Sequence, residues 1–155
     1  MDLSLSDEQK QLKDAAERFV RDKYTFENRR KIAATERGWL PENWAQFAEL
    51  GWLGMSFSEE DGGYGGGPIE TMIVMEEFGK GLVLEPFLPT VVLGGGMIAS
   101  AGSKAQKEAL LAPMIEGKKQ FALAWLERQS RYNLADVSLK ATKEGAGWSL
   151  SGHKG

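Results

Sequence analysis

The hydrophobic period changes at Phe121, and this change limits the possible folds more than any other feature of the chain. Upstream, apolar residues recur at the three- and four-residue spacing of amphipathic helices, whereas downstream the period drops to two. Residues 121–126 are apolar on both faces, which predicts a strand covered on both sides. Residues 137–142 and 148–151, joined by a loop at 144–147, predict a hairpin, the strand at 137–142 having one solvated face. The sequence therefore predicts a mainly α chain, with an all-α domain over residues 1–119 followed by the truncated beginning of an antiparallel β domain over residues 120–155.

Two capping boxes predict helix starts in the first part of the chain. They are Ser6 with Gln9 and Ser103 with Gln106. In each pair the Ser hydroxyl and the Gln amide satisfy backbone donors that a helix start leaves free. Residues 23–37 are polar and leave two alternatives open, a charged connector or a second, weakly amphipathic helix.

Proline and glycine predict the other helix boundaries. Pro41 and Pro68 stand where the first turn of a helix tolerates proline. The apolar residues 87–101 predict a further helix, buried on most sides. The expected helix ends are Gly51, Gly79, Gly81, Pro113 and Gly117.

Composition and charge exclude several classes of function. The net charge is -3, and basic residues are interspersed with acidic ones, so we expect no nucleic-acid partner. The chain has no cysteine and a single histidine, so no metal site is expected. Its acidic start lacks the features of a signal peptide, and no run reaches the ~18 apolar residues of a membrane span. We therefore expect a cytoplasmic protein without a membrane span.

Several segments contain residue types that could form a chemical site. The glycines at 62–67 lack the register of a phosphate-binding loop, which favours a structural loop in which glycine supplies positive φ. Glu76 and Glu77 point about 100° apart on a helix, which favours a solvated helix face over a carboxylate pair. His153 has no partner within reach by sequence, so an ordinary hydrogen-bonded or exposed histidine is the favoured interpretation.

Two other features leave alternatives open. Glycine at 94–96, inside an apolar helix, indicates the close approach of either another helix or an apolar ligand chain. Arg128 and Arg131 follow the strand predicted at 121–126. They are explained equally by surface ion pairs and by binding of a phosphate or carboxylate at the mouth of a site.

The order of these segments resembles the amino-terminal half of an acyl-CoA dehydrogenase. The resemblance covers essentially the whole chain and depends on several stretches together: LPENWAQFAELGWLGMSFSEEDGGYGGG, IETMIVMEEFGKG, GSKAQKEALLAPMIEGKKQFALAWLE and KEGAGWSLSGHKG. It implies an N-terminal helical domain, a middle β domain and a C-terminal helical domain, with FAD and acyl-CoA bound between them.

The resemblance also implies an activity and a set of cofactor-binding residues. The activity is α,β-dehydrogenation of an acyl-CoA thioester to a trans-2-enoyl-CoA, with the catalytic base beyond Gly155 and electron-transfer flavoprotein as a possible acceptor. The flavin-contacting positions map onto Leu123, Trp125, Leu126, Arg131 and Tyr132.

The chain departs from the family pattern at three of these positions, Leu126, Arg131 and Tyr132. Leu126-Glu127-Arg128 stands where the pattern has Thr-Glu-Pro, and Arg131-Tyr132-Asn133 stands where it has Gly-Ser-Asp. The run around them resembles the branch that contains the small subunit of pimeloyl-CoA dehydrogenase. This implies a homo- or hetero-oligomer with another acyl-CoA dehydrogenase subunit, and an alternative function as a non-catalytic partner subunit. A free-standing helical binding module is disfavoured, because the terminal hairpin would keep an unpaired edge.

Overall fold

The computed structural model describes residues 4–155, which form two compact units, residues 4–121 and residues 122–155. Met1 to Leu3, part of the segment in which no signal peptide is expected, lie outside the described residues. The first unit is helical. Its elements are α1 (Asp7–Lys23), α2 (Phe26–Ala33), α3 (Pro41–Glu49), a 3₁₀ turn (Glu59–Asp61), α4 (Pro68–Gly81), a π-helical segment (Leu88–Gly95), α5 (Gly96–Ala101) and α6 (Lys104–Ile115).

Both predicted capping boxes are present. Gln9 N donates to Ser6 Oγ at 3.2 Å while Ser6 N donates to the Gln9 amide oxygen at 3.0 Å. The same arrangement starts α6, with Gln106 N donating to Ser103 Oγ. The amide of Gln9 also donates to Glu70 Oε1 on α4 at 2.8 Å, and α1 packs along α4. Of the two alternatives for residues 23–37, a charged connector or a second helix, the structure shows the helix, α2, which is capped by Thr25.

Aromatic side chains form the centre of the helical unit. Phe47 on α3 is fully buried. Its ring centroid lies 4.8 Å from that of Phe78, 5.1 Å from Phe19 and 5.3 Å from Trp52. Such pairs add about 0.5–1.5 kcal/mol each to the free energy gained from burial. The core therefore joins α1, α3 and α4 through one aromatic cluster.

A buried polar cluster ties the chain just before the π-helical segment to α1 and α3. The carboxylate of Glu85 accepts hydrogen bonds from Tyr24 Oη, from Asn43 Nδ2 at 2.9 Å and from Leu40 N at 3.3 Å. Tyr24 Oη in turn accepts from Leu84 N at 3.3 Å. Burial and the neighbouring carboxylate raise the pKa of Tyr24 above its ordinary value. A buried carboxylate is tolerated here because hydrogen-bond donors surround it.

Two helices run past the residues that were expected to end them. α4 continues through Gly79 to Gly81, and the left-handed residue that follows is Leu82, with φ 51°. α6 continues through Pro113 to Ile115. The expectations for Gly79 and Pro113 are thus wrong. A helical glycine costs only about 1 kcal/mol, and Pro113 lies near the end of its helix, so neither residue stops a helix that packs on the core.

The apolar stretch at 87–101 is helical, but it is not buried on most sides. Thr90, Val91, Gly94 and Gly95 face the interior. Three large side chains on this stretch are exposed by 38 to 50%: Leu88, Leu93 and Met97. The expectation of burial is wrong because the helix lies on the surface of its unit, where only one stripe of it is covered.

The second unit contains one antiparallel hairpin, β1 (Lys140–Glu144) with β2 (Gly147–Ser151), paired so that Ala141 faces Leu150. Gly145 has φ 59° in the tight turn between them. The hairpin confirms the beginning of an antiparallel sheet, although β1 starts later than the expected residue 137 and Trp148 and Leu150 are more than 60% exposed.

The strand expected at residues 121–126 is not formed. These residues belong to neither a helix nor a strand, and three of the six are exposed. A strand exists only with a hydrogen-bonded neighbour, and the hairpin is the one sheet within residues 4–155. The expectation that both faces are covered is therefore wrong for the described chain. No helix within residues 4–155 is long and apolar enough to span a membrane.

Candidate functional site

The apolar segment at residues 121–126 carries three of the residues expected to contact a cofactor. Leu123 and Leu126 are half-buried, and the indole of Trp125 is 46% exposed. Leu126 O accepts a hydrogen bond from Gly155 N at 2.9 Å. The segment thus presents a flat aromatic side chain and aliphatic neighbours, the kind of surface on which an aromatic ring system stacks.

Glu127 organises the loop that follows this segment. Its side chain is buried, and its carboxylate accepts from Ser138 N at 2.8 Å, from Ser138 Oγ at 2.6 Å and from Leu139 N at 3.1 Å. It also accepts from Gln129 Nε2 at 2.7 Å. A single carboxylate therefore closes the loop from residue 127 to residue 139.

An ion pair completes the environment of this carboxylate. Lys154 Nζ lies 2.7 Å from Glu127 Oε1, and both side chains are largely shielded from solvent. The ammonium group of Lys154, followed by the donors of Ser138 and Gln129, holds the pKa of Glu127 well below its ordinary value. Glu127 is therefore ionised at neutral pH, and its acceptor positions are occupied.

A tight turn inside the loop presents Arg131 and Tyr132. Asn133 N donates to Ser130 O at 2.7 Å, which closes the turn, and the Ser130 hydroxyl donates to Glu127 O at 2.7 Å. Arg131 has φ 47°, a left-handed conformation that costs a residue with a Cβ about 1–2 kcal/mol. Tyr132 is fully exposed. The turn is a strained one that the Glu127 contacts hold in place.

The two arginines do not line one cavity. A concavity of about 410 Å³ is lined by Arg128 and His153 together with Glu127 and Ser138, and Arg131 is not among its lining residues. Neither Arg128 nor Arg131 forms an ion pair with any residue of 4–155, so the surface-ion-pair interpretation finds no support. His153, for which the sequence suggested no role, belongs to the wall of this concavity.

The helical unit contains a separate apolar groove beside the glycine run. A cavity of about 520 Å³ is lined by Pro68 and Thr71 of α4 and by Val92, Gly96 and Ala99. An added Cβ at Gly96 would meet nothing within 4 Å, so this glycine borders open space.

The other two glycines of residues 94–96 pack closely against other side chains of the protein. An added Cβ would lie 2.6 Å from Phe121 Cβ at Gly94, and 2.8 Å from Phe57 Cζ at Gly95. Of the two alternatives for residues 94–96, close packing of the protein explains Gly94 and Gly95. The ligand-chain alternative stays a prediction for Gly96 alone.

The remaining candidates are structural. An added Cβ at Gly63 would lie 2.3 Å from Phe57 O, and Gly62 and Gly65 have φ of 85° and 71°, as expected for a structural glycine loop. Glu77 is buried, and its carboxylate lies 2.7 Å from Lys80 Nζ. Glu76 is half-exposed, and its carboxylate lies 3.1 Å from the same nitrogen. The two glutamates share a cation and do not form a pair.

Comparison with known proteins now decides the family. The model of the acyl-CoA dehydrogenase N-terminal domain matches residues 6–118. The chain belongs to the acyl-CoA dehydrogenase family. It is 34% identical over 116 residues to acyl-CoA dehydrogenase FadE12 of Mycobacterium tuberculosis, covering 73% of this chain and 29% of that protein. It is 32% identical over 152 residues to mitochondrial isovaleryl-CoA dehydrogenase of Bos taurus, covering 97% of this chain and 36% of that protein.

Solved structures of the family agree with the fold. A variant of the Tcur3481-Tcur3483 steroid ACAD superposes with a TM-score of 0.85 at 28% identity, covering 97% of this chain and 41% of that one. Our chain thus spans about a third of the length of the curated relatives that it matches. The predicted family and fold are confirmed, whereas the roles of individual site residues remain predictions.

Sequence reasoning missed the residues that hold this acyl-CoA dehydrogenase loop together. It noted Glu127 only as a match to a pattern, and it gave Ser138 and Lys154 no role. One signal was available. A carboxylate directly after an apolar segment is buried by its neighbours, and a buried carboxylate requires a cation or several donors. Which donors they are depends on the loop closing from residue 127 to 139, and no local pattern encodes that closure.

Proposed function

We propose that this chain supplies the N-terminal helical domain, residues 1–119, and the beginning of the middle β domain, residues 120–155, of an FAD-dependent acyl-CoA dehydrogenase. The reaction is the α,β-dehydrogenation of an acyl-CoA thioester to a trans-2-enoyl-CoA, in the cytoplasm. The observation that carries the proposal is the family match over residues 6–118, which is followed by the apolar segment at 121–126 and by the loop that Glu127 closes from residue 127 to residue 139.

The residues present fit the chemistry of FAD. Trp125 offers an exposed indole, and Leu123 and Leu126 offer aliphatic contacts for an aromatic ring system. Arg131 and Tyr132 provide a guanidinium group and a phenol that have no side-chain partner within residues 4–155. Bound there, FAD would supply the acceptor for the hydride that leaves the β-carbon of the substrate.

The apolar groove beside Gly96 is our candidate for contact with the acyl chain. Its volume of about 520 Å³ lies in the range of ligand pockets, about 300–1,000 Å³. Val92 and Ala99 give it an aliphatic wall, and the absence of a side chain at Gly96 keeps it open. A methylene chain is the ligand that such a wall accommodates, whereas a charged group would lose its hydration there.

The base that removes the α-proton is assigned to no residue of 4–155. The three buried carboxylates of this part of the chain all have partners. Glu77 pairs with Lys80, Glu85 accepts from Tyr24 and Asn43, and Glu127 accepts from four groups and pairs with Lys154. A general base needs a free lone pair within hydrogen-bond reach of the proton. We therefore propose that the base lies outside these residues.

The test uses the complete gene product, purified without added flavin. A flavin absorbance spectrum at about one FAD per chain, bleached under anaerobic conditions by acyl-CoA thioesters, is the expected result. A series of acyl-chain lengths gives the substrate preference, and electron-transfer flavoprotein is the acceptor to be tested. Absence of flavin from the purified protein, together with no bleaching after FAD is added, contradicts the proposal.

A second function, a non-catalytic partner subunit of a heteromeric complex, is favoured by a specific observation. Leu126 and Arg131 stand where the family pattern has Thr and Gly, and Tyr132 is fully exposed. The name of the Tcur3481-Tcur3483 steroid ACAD joins two components, and residues 127–136 resemble the branch that contains the small subunit of pimeloyl-CoA dehydrogenase. In this case the chain completes an acyl-CoA dehydrogenase site on another subunit.

Mixing separates the two functions. A catalytic gene product, taken complete, bleaches with acyl-CoA when it is alone, as a monomer or homo-oligomer. A partner subunit is inert alone and raises the activity of an added acyl-CoA dehydrogenase subunit, with which it co-elutes on size exclusion. If the chain neither bleaches alone nor associates, both functions are refuted.

A further inference from the structure

The π-helical segment, Leu88–Gly95, has wider turns than the α-helices around it. Such turns are rare, and they occur frequently at functional sites. Val91 and Val92 of this segment line the apolar groove beside Gly96. Thr90 and Gly94 are buried but are not among the residues that line the groove. The segment therefore makes a second contact, apart from its contribution to the groove wall.

Thr90 makes this second contact with the backbone of Phe121. Its hydroxyl donates to Phe121 O at 3.1 Å and accepts from Phe121 N at 3.3 Å. The side chain of Thr90 is fully buried. A hydroxyl can donate and accept through a single atom, so one side chain satisfies both backbone groups. Thr90 thus gives Phe121 the two hydrogen bonds that a neighbouring strand would otherwise provide.

Gly94 admits the side chain of the same phenylalanine. An added Cβ at Gly94 would lie 2.6 Å from Phe121 Cβ and 3.5 Å from Phe121 Cγ. A methyl group fits there only if Phe121 moves, because close-packed interiors leave no room for such an approach. Thr90 and Gly94 are four residues apart and face the same side of their helix. Together they hold both the backbone and the side chain of Phe121.

The start of the segment is anchored by the buried carboxylate of Glu85. Glu85 accepts from Asn43 Nδ2 at 2.9 Å and from Leu40 N at 3.3 Å, which ties it to the start of α3. One residue later, Pro86 O accepts from Thr90 N at 3.1 Å. The backbone that carries Thr90 is therefore fixed to the core of the helical unit, and the position of Phe121 follows from it.

These contacts lead to one inference, which rests on the function proposed above. We propose that Thr90 is a positioning residue for the dehydrogenation. Through Phe121, the last residue of the helical unit, it fixes the point from which residues 122–126 continue. The helix that carries Thr90 also forms the wall of the groove proposed for the acyl chain. Hydride transfer depends on the distance between the reacting atoms, and a misplacement of about 1 Å costs about 100-fold in rate.

The test disturbs Phe121 in two independent ways in the complete gene product. Thr90→Val keeps the shape of the side chain and removes both hydrogen bonds, whereas Thr90→Ser keeps the hydroxyl. Gly94→Ala leaves the hydroxyl in place and displaces Phe121 with a methyl group. Thr35→Val is the matched control, because the Thr35 hydroxyl donates to Ile32 O at 2.7 Å in the same unit and does not line the groove.

Two measurements need no substrate. They are the hydrogen exchange of peptides that contain the Phe121 amide and the melting temperature without added ligand. The third is the rate of flavin reduction under anaerobic conditions, measured with straight-chain thioesters from butyryl-CoA to palmitoyl-CoA. Its dependence on thioester concentration separates the rate at saturation from the dissociation constant.

The expected result is a loss of rate without a matching loss of binding. Thr90→Val and Gly94→Ala slow flavin reduction at saturation by about 10- to 100-fold and change the dissociation constant of the thioester by less than about 3-fold. Thr90→Ser and Thr35→Val keep the wild-type rate. Thr90→Val also speeds exchange of the Phe121 amide and lowers the melting temperature by about 3–10 °C, because two buried backbone groups lose their partner.

Several outcomes contradict the positioning role. If Thr90→Val melts at a lower temperature but reduces its flavin at the wild-type rate, Thr90 is only structural, and the proposed function stands. Unchanged exchange of the Phe121 amide in Thr90→Val, or equal slowing in Thr90→Ser, shows that the hydroxyl is not responsible. If Thr90→Val does not fold, a wild-type rate in Gly94→Ala refutes the role. A wild-type protein whose flavin no thioester reduces refutes the proposed function, and the positioning role fails with it.

Discussion

Substituting alanine for two adjacent glycines tests how tightly the helix at 88–101 packs on the core. Gly95 and Gly96 have nearly the same helical backbone, with φ and ψ of -62° and -45° at Gly95 and of -59° and -40° at Gly96. Alanine therefore fits the backbone at both positions. The two sites differ only in what the new methyl group meets, so each variant serves as the control for the other.

The structure predicts effects of opposite sign. Replacing a helical glycine by alanine gains about 0.5–1 kcal/mol, and Gly96→Ala keeps this gain because its methyl group meets nothing within 4 Å. At Gly95 the methyl group would lie 2.8 Å from Phe57 Cζ and 2.9 Å from Met114 Sδ, and both of those side chains are buried. Overpacking of this kind costs about 1–3 kcal/mol. We expect Gly95→Ala to be less stable than Gly96→Ala by about 1–3 kcal/mol.

Urea denaturation of the two variants and the wild type, followed by tryptophan fluorescence, measures the difference. The slope of the free energy of unfolding against urea should be the same in all three proteins, so that the midpoints compare directly. If Gly95→Ala is as stable as Gly96→Ala, the side chains of Phe57 and Met114 relax without cost, and the close packing inferred for Gly95 is refuted. If Gly96→Ala is destabilised, the groove beside it is narrower than described.

Two further predictions follow from buried ionisable groups. Because the pKa of Tyr24 is raised in the folded state, the free energy of unfolding should fall as pH rises above about 10. Tyr24→Phe should abolish this fall. At pH 7 the same substitution should lower the free energy of unfolding by about 1–3 kcal/mol, because Glu85 loses a hydrogen-bond donor. Because the pKa of Glu127 is lowered, its stabilising effect should be complete above about pH 4.3 and be lost as pH falls further. Glu127→Gln should remove that acid dependence and speed hydrogen exchange of the Ser138 and Leu139 amides, and a mutant with unchanged exchange would refute the role of Glu127 as the closure of the loop.

Much of the helical unit follows from the sequence because its signals are local. A capping box needs only residues three apart, so Ser6 with Gln9 and Ser103 with Gln106 identified two helix starts. Gly51, with φ 75°, is likewise at the end predicted for α3. Local signals fail where packing overrides them. Gly79 and Pro113 disfavour a helix locally, but α4 and α6 continue because the residues around them bury apolar side chains.

The second unit was harder to predict because a strand is not a local structure. The alternation at residues 121–126 is real, but pairing requires a neighbour, and within residues 4–155 the only pair is β1 with β2. Alternation therefore identified residues able to form a strand without establishing that a partner is present. Periodicity succeeded at the hairpin because both of its strands and its two-residue turn lie within twelve residues.

In the candidate site, too, the sequence pattern predicts some features, and long-range contacts in the folded chain determine the others. Family resemblance selected Leu123, Trp125, Leu126, Arg131 and Tyr132 by position, and their role as cofactor contacts stays a prediction. Position says nothing about backbone conformation. The left-handed backbone of Arg131 and the closure of its loop by a carboxylate are products of long-range contacts.

The partners of the buried carboxylates also constrain where catalysis can come from. A carboxylate that acts as a base must exchange a proton during each turnover, so its lone pairs cannot all be engaged in holding the fold. Glu85 holds the start of the π-helical segment to α1 and α3, and Glu127 holds the loop that carries Arg131. Protonating either one would break contacts on which its segment depends. In the proposed dehydrogenase these residues therefore affect stability and ligand affinity, and the pH dependence of proton abstraction should report a carboxylate outside residues 4–155.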